Sequence, residues 1–231
     1  MQQTRDELKR RAAERAVEFV QNGHLVGLGT GSTVRFVLLA LGERVRAGLE
    51  ITGVATSLET ERMAREFGIP LRTLNEVEKL DLAIDGADEV DPRFNMIKGG
   101  GGALTREKLV ACAADRRVIV IDEQKMVHTL GLRFPVPVEI LPFAWAMASR
   151  HLAGLACVPN LRQRNNKTYE TDNNNYILDC QFSGIGEVAQ LEKAIKLLPG
   201  VVESGLFVGL CDVLVIGFDD SVEVRYSRGN N

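Results

Sequence analysis

Residues 24–33 read HLVGLGTGST, a short apolar run from His24 to Leu28 that breaks into glycines and hydroxyls just before a helical pattern starts after Ser32. A strand that feeds a glycine turn and then a helix is the opening of a βα unit, and the same order of events recurs in both directions along the chain. Downstream, Ile51 to Ala55 reads as a strand and Leu58 to Phe67 as a helix. Strands are expected at Leu71 to Leu74, Leu80 to Asp85 and Val118 to Ile121, with a helix from about Thr105 to Ala114 between the last two. Upstream, Thr4 to Gln21 carries apolar residues at Leu8, Ala12, Ala16, Val17, Phe19 and Val20, with Thr4 and Glu7 as a capping box and an end near Gly23. The alternation predicts a mostly parallel sheet flanked by helices, a Rossmann-like α/β domain.

After Phe134 the rhythm changes. A strand through Pro135 to Ile140, a helix from about Pro142, two strands flanking Thr171 to Asn175, a helix at Glu187 to Leu198 and a strand at Val201 to Val208 give the order βαββαβ. That is the ferredoxin-like pattern of a smaller α+β domain. Asn173 to Asn175 sit where its hairpin turns, which is ordinary turn chemistry. Cys211 to Phe218 and Val222 to Tyr226 read as strands returning to the first domain, so the expected division is 1–133 plus 209–231 and 134–208. Trp145 falls on an apolar helical stretch, in a core or at a contact between domains or subunits.

The chain has 231 residues, enough for one large or two modest domains, with 45% hydrophobic and 26% charged residues. A formal net charge of -3 argues against a nucleic-acid partner. Cys112, Cys157, Cys180 and Cys211 are widely spaced, with no histidine at ligand spacing, and read as buried thiols in a reducing compartment. The N-terminus lacks the apolar region of a secretory signal, and no stretch of about 18 apolar residues is available to span a membrane. A cytoplasmic protein with no membrane partner is the expectation. His24, His128 and His151 share no motif and read as structural.

Ligands of open α/β sheets bind beyond the carboxyl ends of the strands, and four such segments stand out here. Gly27-Leu-Gly-Thr-Gly-Ser-Thr33 is neither a dinucleotide fingerprint nor a P-loop. It is either a tight connection or a cradle in which amides and hydroxyls meet a phosphate or sugar oxyanion. Asp85-Gly-Ala-Asp-Glu-Val-Asp91 lacks the calcium-loop pattern. It is either a solvated acidic turn or a place where Asp85 and Asp88 hold sugar hydroxyls, with Glu89 and Asp91 solvated. Lys98-Gly-Gly-Gly-Gly-Ala-Leu-Thr-Arg-Glu-Lys108 has four consecutive glycines, costly unless the backbone must wrap something. Lys98 adds a cation, and Glu107 enters the first turn of a helix capped by Thr105. Glu107 there either complements the helix dipole or serves as a general base beside an oxyanion site. In Asp122-Glu-Gln-Lys125, Lys125 is either a surface lysine or a reach toward an anionic substrate.

GTGST at 29–33, DGADE at 85–89 and KGGGG with LTREK at 98–108 resemble the A-type ribose-5-phosphate isomerase family. The likeness extends through PVPVEI at 135–140, TDN at 171–173 and PGVVESGLF at 199–207, nearly the whole chain. The chain departs from some members after the second strand, where ATSLET at 55–60 is less serine-rich, and in Gly102, where some members have alanine. The resemblance implies interconversion of ribose 5-phosphate and ribulose 5-phosphate in the non-oxidative pentose phosphate pathway, with no cofactor and no metal. It implies a sugar-phosphate site lined by Thr30, Gly31, Ser32, Thr33, Asp85, Gly86, Ala87, Asp88, Lys98, Gly99, Gly100, Gly101 and Lys125, with Lys9 near the phosphate. Glu107 is then the proton acceptor, with Asp85, Asp88 and Lys98 assisting, and the assembly is a homodimer or homotetramer. The alternative is a non-catalytic sugar-phosphate sensor domain, which needs no Glu107.

Overall fold

The computed structural model describes residues 2–227, with side chains from residue 6 onward. Helix α1 (Gln2–Val17) leads into β1 (Leu25–Leu28), α2 (Ser32–Arg46), β2 (Thr52–Ala55), α3 (Leu58–Glu66) and β3 (Leu80–Asp85). Two short strands, β4 (Glu89–Val90) and β5 (Met96–Ile97), precede α4 (Leu104–Ala113) and β6 (Ala114–Asp122). Then come β7 (Val136–Ile140), α5 (Trp145–Ala153), β8 (Val158–Leu161), β9 (Gln163–Arg164), β10 (Lys167–Thr168), β11 (Tyr176–Gln181) and α6 (Val188–Lys196). The chain ends through β12 (Val201–Ser204), β13 (Leu206–Phe207), β14 (Val213–Gly217) and β15 (Val222–Tyr226).

Two compact units result, one formed by the chain up to Ala87, Arg106–Lys125 and the chain from Leu210, the other by Asp88–Thr105 and Met126–Gly209. By this division residues 88–105 and 126–133 go with the second unit. The first unit holds a six-stranded sheet in the order β15-β14-β6-β3-β1-β2, parallel throughout except for β15. Period-two alternation sends Val26, Leu28, Leu82, Ile84, Val118, Val120, Val213 and Val215 to one face, where they pack with Ala12, Ala16, Val37, Leu41 and Met63 of the first three helices. Val54 and Ala83 face Val110 and Ala114 on the other side. Both faces are therefore covered, as a parallel sheet requires.

The second unit carries the antiparallel sheet β12-β7-β11-β8, with α5 between β7 and β8 and α6 between β11 and β12, the ferredoxin-like arrangement. Val136, Val138, Ile140, Leu178 and Cys180 pack against Ala148, Leu152 and Ile195 of its helices. A small sheet β13-β5-β4 lies in the same unit.

Several expectations need correction. Helix α1 starts at Gln2, so Thr4 stands inside it rather than at its cap, and the Thr4 side chain lies outside the described residues. Leu71 makes one bridge to Gly53, and Leu74–Glu76 is a 3-10 turn capped by Thr73, not a strand. The strand expected at Val201 to Val208 divides into β12 and β13, because Gly205 turns the chain onto Lys98. The turn expected at Asn173 to Asn175 is present, closed by the Asn174 N–H on the Thr171 carbonyl with Asn174 left-handed, and a second, tighter hairpin that was not expected turns at Asn165 and Asn166 between β9 and β10. Cys112 is exposed while the other three thiols are buried, and Trp145 is 43% exposed, too open for a core. No helix among the described residues is long and apolar enough to cross a membrane.

Candidate active site

In the first unit β1 lies between β2 and β3, so the strand order reverses at β1 and β3, where open α/β sheets collect their ligands. Their carboxyl ends carry the Gly29–Thr33 loop and Asp85. Asp85 is 7% exposed, and its Oδ1 accepts the N–H of Thr30 at 3.2 Å and of Gly86 at 2.7 Å. A Cβ on Gly29 would overlap this carboxylate, so only glycine lets the two segments lie together. Thr30 Oγ1 is 2.7 Å from Thr56 Oγ1 and donates to Ser57 Oγ at 2.8 Å; Thr60 Oγ1 donates to the Gly29 carbonyl at 2.7 Å. The ATSLET segment thus keeps a full hydroxyl cluster despite its few serines.

Gly31, at φ 115°, caps α2, whose first residue Ser32 accepts a hydrogen bond from Lys9 Nζ at 2.9 Å. Thr33 lies beside Gly86, with Thr33 Cβ 3.9 Å from where a Gly86 side chain would start. Glu107 stands in the first turn of α4 and is only 4% exposed. Gly27 lets α4 approach β1, since a Cβ there would collide with Val110. Lys125 is half-buried and closes a 3-10 turn just after β6. This unit supplies two sheltered carboxylates and a hydroxyl-rich helix start with a lysine.

The second unit contains Lys98 and the glycine run. Lys98 is 3% exposed; its N–H donates to Gly205 and its ammonium lies 5.4 Å from the Phe207 ring centroid. Gly99 and Gly102 have φ of 104° and 90°, left-handed values that favour glycine. Asp88 Oδ2 accepts the Gly100 N–H at 2.8 Å, and the Gly102 N–H donates to the Gly99 carbonyl at 3.0 Å. Arg162 Nη1 donates to the carbonyls of Gly99 at 2.9 Å and Gly100 at 3.3 Å, and Tyr169 OH to that of Gly101 at 3.1 Å.

Three findings here correct the residue reading. Glu89 is 2% exposed rather than solvated, accepting the N–H groups of Gly131, Arg133 and Phe134 at 2.8 to 3.1 Å. Asp91 organises its own turn, accepting from Arg93 and Asn95. Thr105 does not cap α4, which starts one residue earlier; its hydroxyl donates to Glu139 Oε2 at 2.5 Å. Glu139 is fully buried, with Thr171, Asn173 and Asn175 donating to its other oxygen at 2.9 to 3.1 Å. The asparagine run is therefore a set of donors to a buried carboxylate as well as a turn. Among the described residues no three His, Cys, Asp or Glu side chains are grouped to hold a metal ion.

The family model of Ribose 5-phosphate isomerase A (phosphoriboisomerase A) matches residues 52–221. The ribose-5-phosphate isomerase A of Thermosynechococcus vestitus is 51% identical, covering 95% of each chain. The solved ribose 5-phosphate isomerase A of Methanocaldococcus jannaschii superposes with a TM-score of 0.91 at 39% identity, over 95% of this chain and 98% of that one. A D-ribose-5-phosphate isomerase solved in complex with phospho-erythronic acid superposes with a TM-score of 0.93 at 37% identity, over 96% and 99% of the two chains. By sequence along most of its length and by fold, this chain belongs to the ribose 5-phosphate isomerase A family.

Proposed function

We propose that this chain interconverts D-ribose 5-phosphate and D-ribulose 5-phosphate by moving a proton between C2 and C1 through an enediolate, with Glu107 as the base. The observation that carries this reading is the setting of Glu107: a carboxylate kept from water, in a helix first turn whose dipole favours its charged form. Asp85, fixed by two amides, assists ring opening, and Asp88 orients sugar oxygens. Lys98 and the amides of the Gly99 to Gly101 loop stabilise the negative oxygen as it develops. Thr30, Gly31, Ser32, Thr33, Gly86, Ala87 and Lys125 hold the rest of the sugar phosphate, and Lys9 of α1, whose ammonium reaches Ser32 at the start of α2, sits well for its dianion. The phospho-erythronic acid bound by a relative supports the intermediate, since its planar carboxylate resembles the charged edge of an enediolate.

In this reading the enzyme is cytoplasmic, which three buried thiols in a reducing compartment would suit, and forms a homodimer or homotetramer. Fully exposed Phe143 and 83% exposed Leu197 are surfaces that self-association would cover.

The test is ketose formation from ribose 5-phosphate by purified protein, beside Glu107→Gln. The variant should lose about 10² to 10⁴ in kcat, as removal of a general base does, with KM little changed. Losing the helix-start charge costs only about 0.3–1 kcal/mol of stability, so the variant stays folded. If Glu107→Gln still exchanges the C2 proton with solvent deuterium at the wild-type rate, the base is another carboxylate.

A further inference from the structure

Three successive carbonyls of the glycine loop are bound by two side chains of one segment. Arg162 follows β8, and Tyr169 is brought beside it because the Tyr169 N–H donates to the Arg162 carbonyl at 2.9 Å. Asp179 of β11 takes two of the guanidinium donors, Nε to Oδ2 at 2.9 Å and Nη2 to Oδ1 at 2.5 Å. This fork leaves Nη1 aimed at Gly99 and Gly100. The Tyr169 ring lies 5.8 Å from the guanidinium carbon and occupies the space a side chain on Gly102 would need. Burial raises the pKa of its phenol, which therefore stays protonated and donates to Gly101.

A trans peptide carries its N–H opposite its C=O, so holding a carbonyl aims the next amide the other way. The Gly100 N–H goes to Asp88 and the Gly102 N–H to Gly99. The Gly101 N–H, on the peptide whose carbonyl Arg162 holds at 3.3 Å, meets no acceptor among the described residues. Four glycines left to themselves would spread that amide over many directions, and a donor stabilises a transition-state oxyanion only if it is oriented beforehand. We propose that Arg162 and Tyr169 are positioning residues that clamp the loop, Arg162 aiming the Gly101 N–H at the oxyanion of the isomerising sugar through the Gly100 carbonyl, and Tyr169 fixing the peptide that follows through the Gly101 carbonyl so that Gly101 is held from both sides. The inference rests on the isomerase reading above.

The experiment compares the full-length wild type with Tyr169→Phe and Arg162→Met. Steady-state kinetics on ribose 5-phosphate are measured beside inhibition by phospho-erythronic acid, a planar anion, and ribitol 5-phosphate, which carries the phosphate and hydroxyls without a carbonyl. Loss of aim of one oxyanion donor should lower kcat about 10-fold in Tyr169→Phe and about 10²-fold in Arg162→Met, with KM within about twofold of wild type. Affinity for phospho-erythronic acid should fall by a similar factor while that for ribitol 5-phosphate holds. Unchanged kcat in both variants, or equal loss of affinity for both inhibitors, overturns the clamp and leaves a purely structural contact. Should Arg162→Met fail to fold, Tyr169→Phe, which removes one oxygen and keeps the ring, decides by the same split. A wild type that forms no ribulose 5-phosphate overturns the isomerase reading itself, and the clamp with it; an active wild type with unaffected variants overturns the clamp alone.

Discussion

The loop Gly29–Thr33 is held largely by hydroxyls, its own and those of ATSLET, whereas Gly99–Gly102 has no side chains and takes its hold from Arg162, Tyr169 and Asp88. Left-handed backbone calls for glycine in both loops, at Gly31 in the first, but the first also needs glycine for packing. Gly29 is there because the Asp85 carboxylate occupies the space of a side chain; Gly99 and Gly102 are there chiefly because the backbone turns left-handed. The first loop is a packing solution between adjacent strand ends. The second is a conformational solution held from both directions along the chain, by Asp88 twelve residues before Gly100 and by Arg162 and Tyr169 at sequence separations of 62 to 68.

Removing the phosphate should have the largest effect and reports on the first loop. If its hydroxyls and amides anchor the dianion, ribose lacks about two charge-assisted hydrogen bonds of roughly 1.5–3 kcal/mol each, a loss of about 10² to 10⁴ in kcat/KM. Equal kcat/KM for ribose and ribose 5-phosphate would remove that loop from the binding site. Next comes Gly29→Ala. Its methyl must displace the Asp85 carboxylate, and a shift near 1 Å costs about 10² in rate, with roughly 1–3 kcal/mol of stability lost to overpacking. Wild-type kinetics in that variant would mean that Asp85 has no exact position to keep.

Gly102→Ala is smaller, about 1–2 kcal/mol for the left-handed residue, read as a lower denaturation midpoint. Because the new methyl also meets Tyr169, adding Tyr169→Ala should cost less than the sum of the two single changes. Strict additivity would show that Tyr169 does not press on this loop. Last, exhaustive EDTA treatment should leave kcat unchanged, since the proposed oxyanion donors are a lysine and amides. Activity lost and then restored by added metal would break the account of both loops.

Much of the fold was legible in local pattern. Leu80 to Asp85 is a strand with the expected limits, and the βαββαβ order of the second unit follows its apolar runs. What escaped has physical causes. β4 and β5 are two residues each, too short for any period to register, and Leu71 looks like a strand start but has only one bridge partner. Glu89 sits among acidic neighbours that suggest water, and its burial depends on three amides some forty residues away. The site motifs announced themselves through glycines and carboxylates. Arg162 and Tyr169 carried no such mark, whereas Glu139 lay within PVPVEI and its donors Thr171 and Asn173 within TDN, both part of the resemblance, without their pairing being legible.

The strand order of the six-stranded sheet has a consequence for synthesis. β6 pairs on one side with β3, made shortly before it, but its other side waits for β14, whose first residue is 213 against the last of β6 at 122. At about 5–20 residues per second a ribosome needs roughly 5–20 s to cover those 213 − 122 = 91 residues. For that interval the nascent chain carries an unpaired, strongly apolar parallel edge ending in Val118-Ile-Val-Ile121, the sort of surface that recruits other chains. Expression yield in a cell should therefore depend on translation speed and on chaperones that shield emerging edges, even with the finished protein unchanged.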